Sequence, residues 1–279
     1  MKTRHRRIFF WFAVSVFLAA SYIIILYAQG YKFDFTSNGF VRTGAIAVSV
    51  NTDAKLYVDD RYIGQTSFLS HNAGQENLLP GTYNMRVLQD GYSSWHKTAT
   101  VQQGLLTDFP KVLLLPTDEN STQALKDEII KSLALAHTLA DPTPTPTPTP
   151  SPTPRRTPKV SPTPLIVNVD PFALQGQVLS RTDQTPAIKV ADGVLGFQIS
   201  PDGNRVLWYT RNEIWVLWLN NTDYQPFHAE GDKELITRFS TSIVKAAWFR
   251  DSDHITVDLG GIYRVLETDT RGGINIIKI

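Results

Sequence analysis

The chain has no cysteine, so it can form no disulfide, no zinc–thiolate centre and no thiol nucleophile. The same absence removes the usual redox marker of compartment and is compatible with an exterior that uses no disulfide-forming machinery. Excess charge of one sign is missing too. Lys and Arg number 27 against 26 Asp and Glu, and charged residues make up 19% of the chain. No basic surplus therefore points to nucleic acid, and there is no acidic tail. Motifs of catalysis are lacking: no Gly-rich phosphate loop, His-Glu-x-x-His pair, nucleophile elbow or kinase set occurs. His5, His71, His96, His137, His228 and His254 include no i, i+4 pair, so the spacing offers no metal site. Adjacent Ser70 and His71 do not make a triad, because nucleophile and base must meet in space with a third group orienting the base. The expectation is a protein that is not an enzyme, with no catalytic residue, cofactor or metal, and with a binding surface that the sequence does not locate.

What is present begins with Ile8 to Ala28. About 21 apolar or small residues rise about 31 Å as a helix, against a hydrocarbon core of about 30 Å. A cleaved signal peptide is the alternative, with Ala28-Gln29-Gly30 as small residues for a peptidase, but signal cores run only about 7 to 15 residues. Lys2, Arg4, Arg6 and Arg7 precede the run without an acid, whereas beyond it Lys32 is balanced by Asp34. Positive-inside bias then keeps the N-terminus cytoplasmic and puts residues from about 30 onward outside. Tyr22, Tyr27 and Tyr31 at the outer end, with Trp11 at the inner, fit interfacial aromatic belts. Residues 1–29 thus read as a cytoplasmic stub and transmembrane anchor.

From 44 to 116 the pattern becomes short alternating runs broken by turn residues, as in a small all-β domain. Ile46, Val48 and Val50 alternate with Ala47 and Ser49; Leu56 and Val58 lead to a turn at Asp59-Asp60; Tyr83, Met85 and Val87 follow Pro80-Gly81 and end at Gln89-Asp90-Gly91. Val101 and Val112 to Leu115 complete about six or seven strands. The ordered set VDDRYIGQTS, LLPGTY, DGYSSW and VLLLP resembles the PEGA family, small Ig-like β-sandwich modules of bacterial and archaeal surface proteins. The resemblance implies such a sandwich over about 73 residues. The chain departs from the family pattern at Asp59-Asp60, Thr66-Ser67 and Pro80-Gly81-Thr82, and Ser70 to Asn77 reads as a longer loop.

Residues 118–140 switch to helical spacing, with Leu125, Ile129, Leu133, Ala136 and Ala140 along one stripe and Asn120 with Gln123 as a capping pair. A stalk, a packed flank or a dimer-forming helix all fit. Residues 141–164, DPTPTPTPTPSPTPRRTPKVSPTP, read as a polyproline spacer with a reach of at most about 74 Å; a ligand for Pro-binding domains and an O-glycosylated stalk are the alternatives.

Strands return in 165–279. Ser200-Pro201-Asp202-Gly203 is a turn, followed by a hairpin of Val206 to Tyr209 with Ile214 to Leu219 over Arg211-Asn212. Asp251-Ser252-Asp253 and Gly260-Gly261 repeat the scheme about 48 residues on. These pieces resemble SPDG-type, WD-like propeller repeats of bacterial envelope proteins. A ring needs four or more blades, so the resemblance implies either completion of a ring by further copies or a smaller β domain with blade-like hairpins, and the second is favoured.

Three clusters invite a site reading. Asp53, Asp59 and Asp60 read as turn-forming, solvated acids rather than a cation site. Tyr92 and Trp95 read as core rather than a sugar-stacking platform. Asp251-x-Asp253 starts like a calcium loop that His254 and Ile255 do not continue. The expected fold is mainly β, with an N-terminal transmembrane helix. The expected role is a membrane-anchored extracytoplasmic binding or structural protein of the cell envelope. Its partners would be an envelope protein or cell-wall polymer, with self-association of the C-terminal domain as a further possibility. An accessory subunit or sensor acting through a membrane partner is the alternative. Trp208, Trp215, Trp218 and Trp248 cannot be sorted into core and surface by pattern alone.

Overall fold

A computed structural model describes residues 3–66, 71–134, 137–138 and 171–279. The spacer 141–164 and Ser70 lie outside the described residues. The chain is mainly β, built of several small sheets with two helices, and it divides into two compact units. Unit 1 holds residues 1–128, 220–230 and 264–279; unit 2 holds 129–219 and 231–263.

Helix α1 (Thr3–Ala28) contains a segment, His5–Ala28, long and apolar enough to cross a membrane, and none of its apolar stretch is buried by the rest of the chain. It ends at Gly30, whose φ of +82° leaves the helical region and whose N–H bonds back to Tyr27 O. A hairpin follows, β1 (Tyr31–Asp34) against β2 (Gly39–Arg42), with Phe33 opposite Phe40. The Asp34 carboxylate accepts the Thr36 and Ser37 N–H groups, which closes the turn.

β3 (Gly44–Val50), β4 (Lys55–Val58), β5 (Arg61–Gln65), β6 (Asn72–Leu78), β7 (Gly81–Leu88), β8 (Trp95–Val101) and β9 (Leu106–Val112) form two sheets. One runs β6-β3-β9, with β3 and β9 parallel; the other runs β5-β4-β7-β8, antiparallel throughout. Both sheets feed one core, from Ile46, Val48 and Val50 of β3 to Met85 and Val87 of β7 and Phe109 of β9. The alternation read in the sequence is the alternation of burial: β3 is buried at every second residue. The segment expected to loop out, Ser70 to Asn77, is instead strand from Asn72. It carries no apolar alternation because β6 lies at an edge with most of its side chains outward. Its Gly74 sits where an added Cβ would stand 2.5 Å from Ile46 O, so glycine permits the close pairing.

Helix α2 (Glu119–Ala134) is shorter than the expected 118–140 and differently capped. Asp118 is the cap, its Oδ1 accepting Ser121 N–H at 2.9 Å, while Gln123 bonds Asp127 one turn on. Leu125, Ile129 and Leu133 are buried within the chain, which leaves that stripe unavailable for a coiled coil. Ala136 and Ala140 lie outside the described residues.

Unit 2 begins within α2 and continues with β10 (His137–Thr138), β11 (Phe172–Gln175), β12 (Val178–Arg181), β13 (Ile188–Ala191), β14 (Gly196–Ile199), β15 (Arg205–Tyr209), β16 (Glu213–Trp218), β17 (Lys233–Arg238), β18 (Lys245–Trp248) and β19 (His254–Asp258). β11-β12-β13 is one sheet and β10-β14-β15-β16-β17 another. Every residue of β15 is buried, so after Arg205 it reads as an apolar run, Val206 to Tyr209, rather than an alternating one. The expected hairpin is present, with Tyr209 opposite Ile214. So is the turn before it: Asp202 Oδ1 accepts Asn204 N–H at 3.0 Å, and Gly203 takes a φ of +73°.

Two segments expected to belong to a single domain at 165–279 lie in unit 1. These are the connection 220–230 and the strands β20 (Tyr263–Glu267, from Arg264 on) and β21 (Ile276–Lys278), which pair antiparallel. The reason is a set of polar side chains that tie them to β8 and β9.

Candidate functional site

Asp59 and Asp60 occupy the β4–β5 turn at positive φ; Asp59 accepts Asn84 N–H at 2.9 Å, and Asp60 pairs with Arg86 at 2.5 Å. Asp53 is exposed, and among the described residues no group of three His, Asp or Glu could hold a metal ion. Asp251 accepts the Asp253 and His254 N–H groups and lies 2.9 Å from His254 Nδ1. Burial pushes the Asp251 carboxyl up, but its hydrogen bonds with His254 outweigh this and hold it below the usual range. Asp253 pairs with buried Arg205 at 2.8 Å. Trp208, Trp218 and Trp248 are buried, and half-buried Trp215 stacks on Trp208 at 5.9 Å.

Trp95 is 2% exposed, edge-on to Phe109 at 5.4 Å, and Tyr92 packs against the same core. Trp95 is nonetheless more than filler. Its Nε1–H donates to Glu267 Oε2 at 2.9 Å, across 172 residues of sequence. Glu267 Oε1 is 2.6 Å from Lys97 Nζ and accepts Asn275 N–H and Nδ2–H. Lys97 is buried because it holds an inward position of β8, between Trp95 and Ala99. Its other protons go to Asp269 O and Gly273 O at 2.5 and 2.6 Å. This buried cation is thus met by a carboxylate and two carbonyls.

Two sheet edges of unit 1, those of β8 and β9, are bordered by amide side chains. Asn275 Nδ2–H donates to His96 O at 2.9 Å and its Oδ1 accepts His96 N–H at 3.1 Å, as a neighbouring strand would. Gln225 does the same for β9, donating to Leu106 O at 2.8 Å and accepting Asp108 N–H at 3.1 Å. Pro110 in β9 has no N–H to satisfy. Arg271 completes the arrangement, with Nη1 to Gln225 Oε1 at 2.8 Å, Nη2 to Asp108 O at 2.7 Å and its guanidinium 4.5 Å from the Phe109 ring centroid. Burial raises the Asp108 carboxyl above its usual range, with Arg271 opposing.

Between these two edges runs a groove of about 610 Å³. Thr98 and Thr100 of β8, Leu105 and Leu106 at the start of β9, and Phe227, 69% exposed, line it. Its lining can offer a ligand both hydrogen bonds, from the hydroxyls, and apolar contact, from the leucines and the exposed ring. Sequence reasoning passed over Gln225, Phe227, Arg271 and Asn275, because they sit in turns about 120 to 180 residues from their partners and form no motif; the inward Lys97 of an alternating strand was the one local signal. No protein-family model matches the chain, and no curated protein does.

Proposed function

We propose that this is a single-pass membrane protein whose bulk lies outside the cytoplasm and binds a protein or a cell-wall polymer of the envelope. One observation carries the reading: the apolar surface of α1 is wholly uncovered by the chain and must be covered by something. Lys2, Arg4, Arg6 and Arg7, which precede the apolar run of α1, favour a cytoplasmic N-terminus. A PEGA-like module is supported by the strand order, with β4 and β5 joined at Asp59-Asp60, β7 opening at Gly81 and β8 at Trp95. The four antiparallel strands β14 to β17 support a blade-like unit within a small β domain. The groove between β8 and β9 is the binding surface we favour.

The test is co-sedimentation of the full chain, in detergent micelles, with purified insoluble cell-wall polymer, beside Phe227→Ser. Retention that falls at least tenfold with Phe227→Ser supports polymer binding at the groove. No retention of either form overturns polymer binding and leaves a protein partner, such as the membrane complex of which this chain would be an accessory subunit.

A further inference from the structure

We infer that the β1–β2 hairpin is a membrane-surface foot, lying on the lipid headgroups with Phe33, Phe35 and Phe40 at the acyl boundary. The inference rests on the reading of α1 as a span. It starts from an exposed apolar cluster that the binding groove does not use. Phe35 is 89% exposed, on a turn that needs no phenylalanine, and Phe40 is 37% exposed. The rings form a chain of edge-on contacts: Phe35 to Phe33 at 5.1 Å, Phe33 to Phe40 at 5.4 Å, and Phe40 to Tyr27 of α1 at 6.4 Å. The aromatic patch is therefore continuous with the surface that α1 presents to lipid.

Geometry fixes which face is turned to the bilayer. Phe33 and Phe40 are cross-strand partners and share one face. The opposite face carries Lys32, whose Nζ donates to Asn77 O at 2.7 Å and so ties the hairpin back to the β6–β7 turn. The junction is stiff as well: Gly30 O accepts both N–H and Oγ1–H of Thr43, at 2.8 and 2.7 Å. Four-residue strands reach about 13 Å, and the headgroup layer on each side of the core is about 5 to 8 Å deep. A hairpin bonded to the helix end thus stays beside that layer unless it stands upright, which would leave Phe35 in water. Hydrogen bonds from Ser37 and Thr36 hold the Asp34 carboxyl below its usual range, so it stays ionised and belongs with the headgroups; along β1 it alternates with Phe33 and shares the face of Lys32. Phe rings seat at the acyl boundary on the apolar face of interfacial segments, and Tyr27, in contact with Phe40, adds the amphipathic ring of an interfacial belt.

The chain has no cysteine, so a single introduced one can be labelled without background. Three full-length chains, Ser37→Cys, Ala19→Cys and Asp90→Cys, are spin-labelled and reconstituted in phosphatidylcholine vesicles, and the ratio of oxygen to aqueous nickel-chelate collisions is measured. Ser37 tests the hairpin tip with all three rings intact, Ala19 the helix centre and Asp90 a solvated turn. The ratio at 37 is expected to lie at least threefold above that at 90, and to fall to the value at 90 when Phe35→Ser is added. A ratio at 37 equal to that at 90, or one unmoved by Phe35→Ser, overturns the foot. If the ratio at 19 equals that at 90, the span itself is overturned, which separates the two failures.

Discussion

Replacing Lys97 by methionine keeps most of the side chain's volume and removes its charge, leaving Glu267 buried without its cation. The Lys97 side chain is 0% exposed and that of Glu267 8%. Glu267 retains Trp95 Nε1–H and two donors from Asn275, so its loss is partial. Stranding one member of a buried pair typically costs about 3 to 5 kcal/mol, and with those three donors in place the lower end, about 3 kcal/mol, applies. At a urea dependence of about 2 kcal/mol per molar, the midpoint of unit 1 should fall by about 1.5 M. Adding Glu267→Gln should cost less than it does alone, with a coupling of about 2 kcal/mol in the cycle. The assay is hydrogen exchange of β7 and β8 peptides along a urea series, on the full chain in detergent micelles. A midpoint shift for Lys97→Met below about 0.25 M, the range of surface substitutions, would refute the reasoning.

Gly272→Ala should loosen the same attachment, since at φ +61° its Cβ would stand 1.8 Å from Thr98 O; limited proteolysis should cut 264–279 at least tenfold faster than in the parent chain. Gln225→Ala should uncover the edge of β9 and promote edge-to-edge pairing, seen as dimer by sedimentation velocity where the parent form shows none. Asp251→Asn should remove part of the acid sensitivity of unit 2. A carboxyl held below its ordinary value of 3.8 stabilises the fold above that value and loses this contribution as pH falls through its lowered one. The variant should therefore be less stable at pH 6 and lose less stability on acidification to pH 3; parallel thermal unfolding curves for the two forms would contradict this.

Much of the fold was legible because its signals are local. The alternation of Ile46, Val48 and Val50, the turn at Ser200 to Gly203 and the hairpin over Arg211-Asn212 depend on neighbours a few residues away. β6 was missed because an edge strand with Gly74 at a close crossing shows no period-2 apolar pattern. The α2 cap was misplaced by two residues because Asp118 and Asn120 are both competent caps, and only the path of the backbone chooses between them. The groove escaped altogether. Its amides act by pairing with a backbone 117 and 179 residues distant, and no composition or spacing encodes that meeting.

The tie between Trp95 and Glu267 also sets a clock. Ribosomes add about 5 to 20 residues per second, so on the order of 10 to 30 s separate the appearance of the tryptophan from that of its carboxylate, 172 residues later. During that interval β8 carries an inward-facing ammonium group with no counter-charge and a bare edge. A nascent chain in that condition leaves both exposed until residues 264–279 arrive.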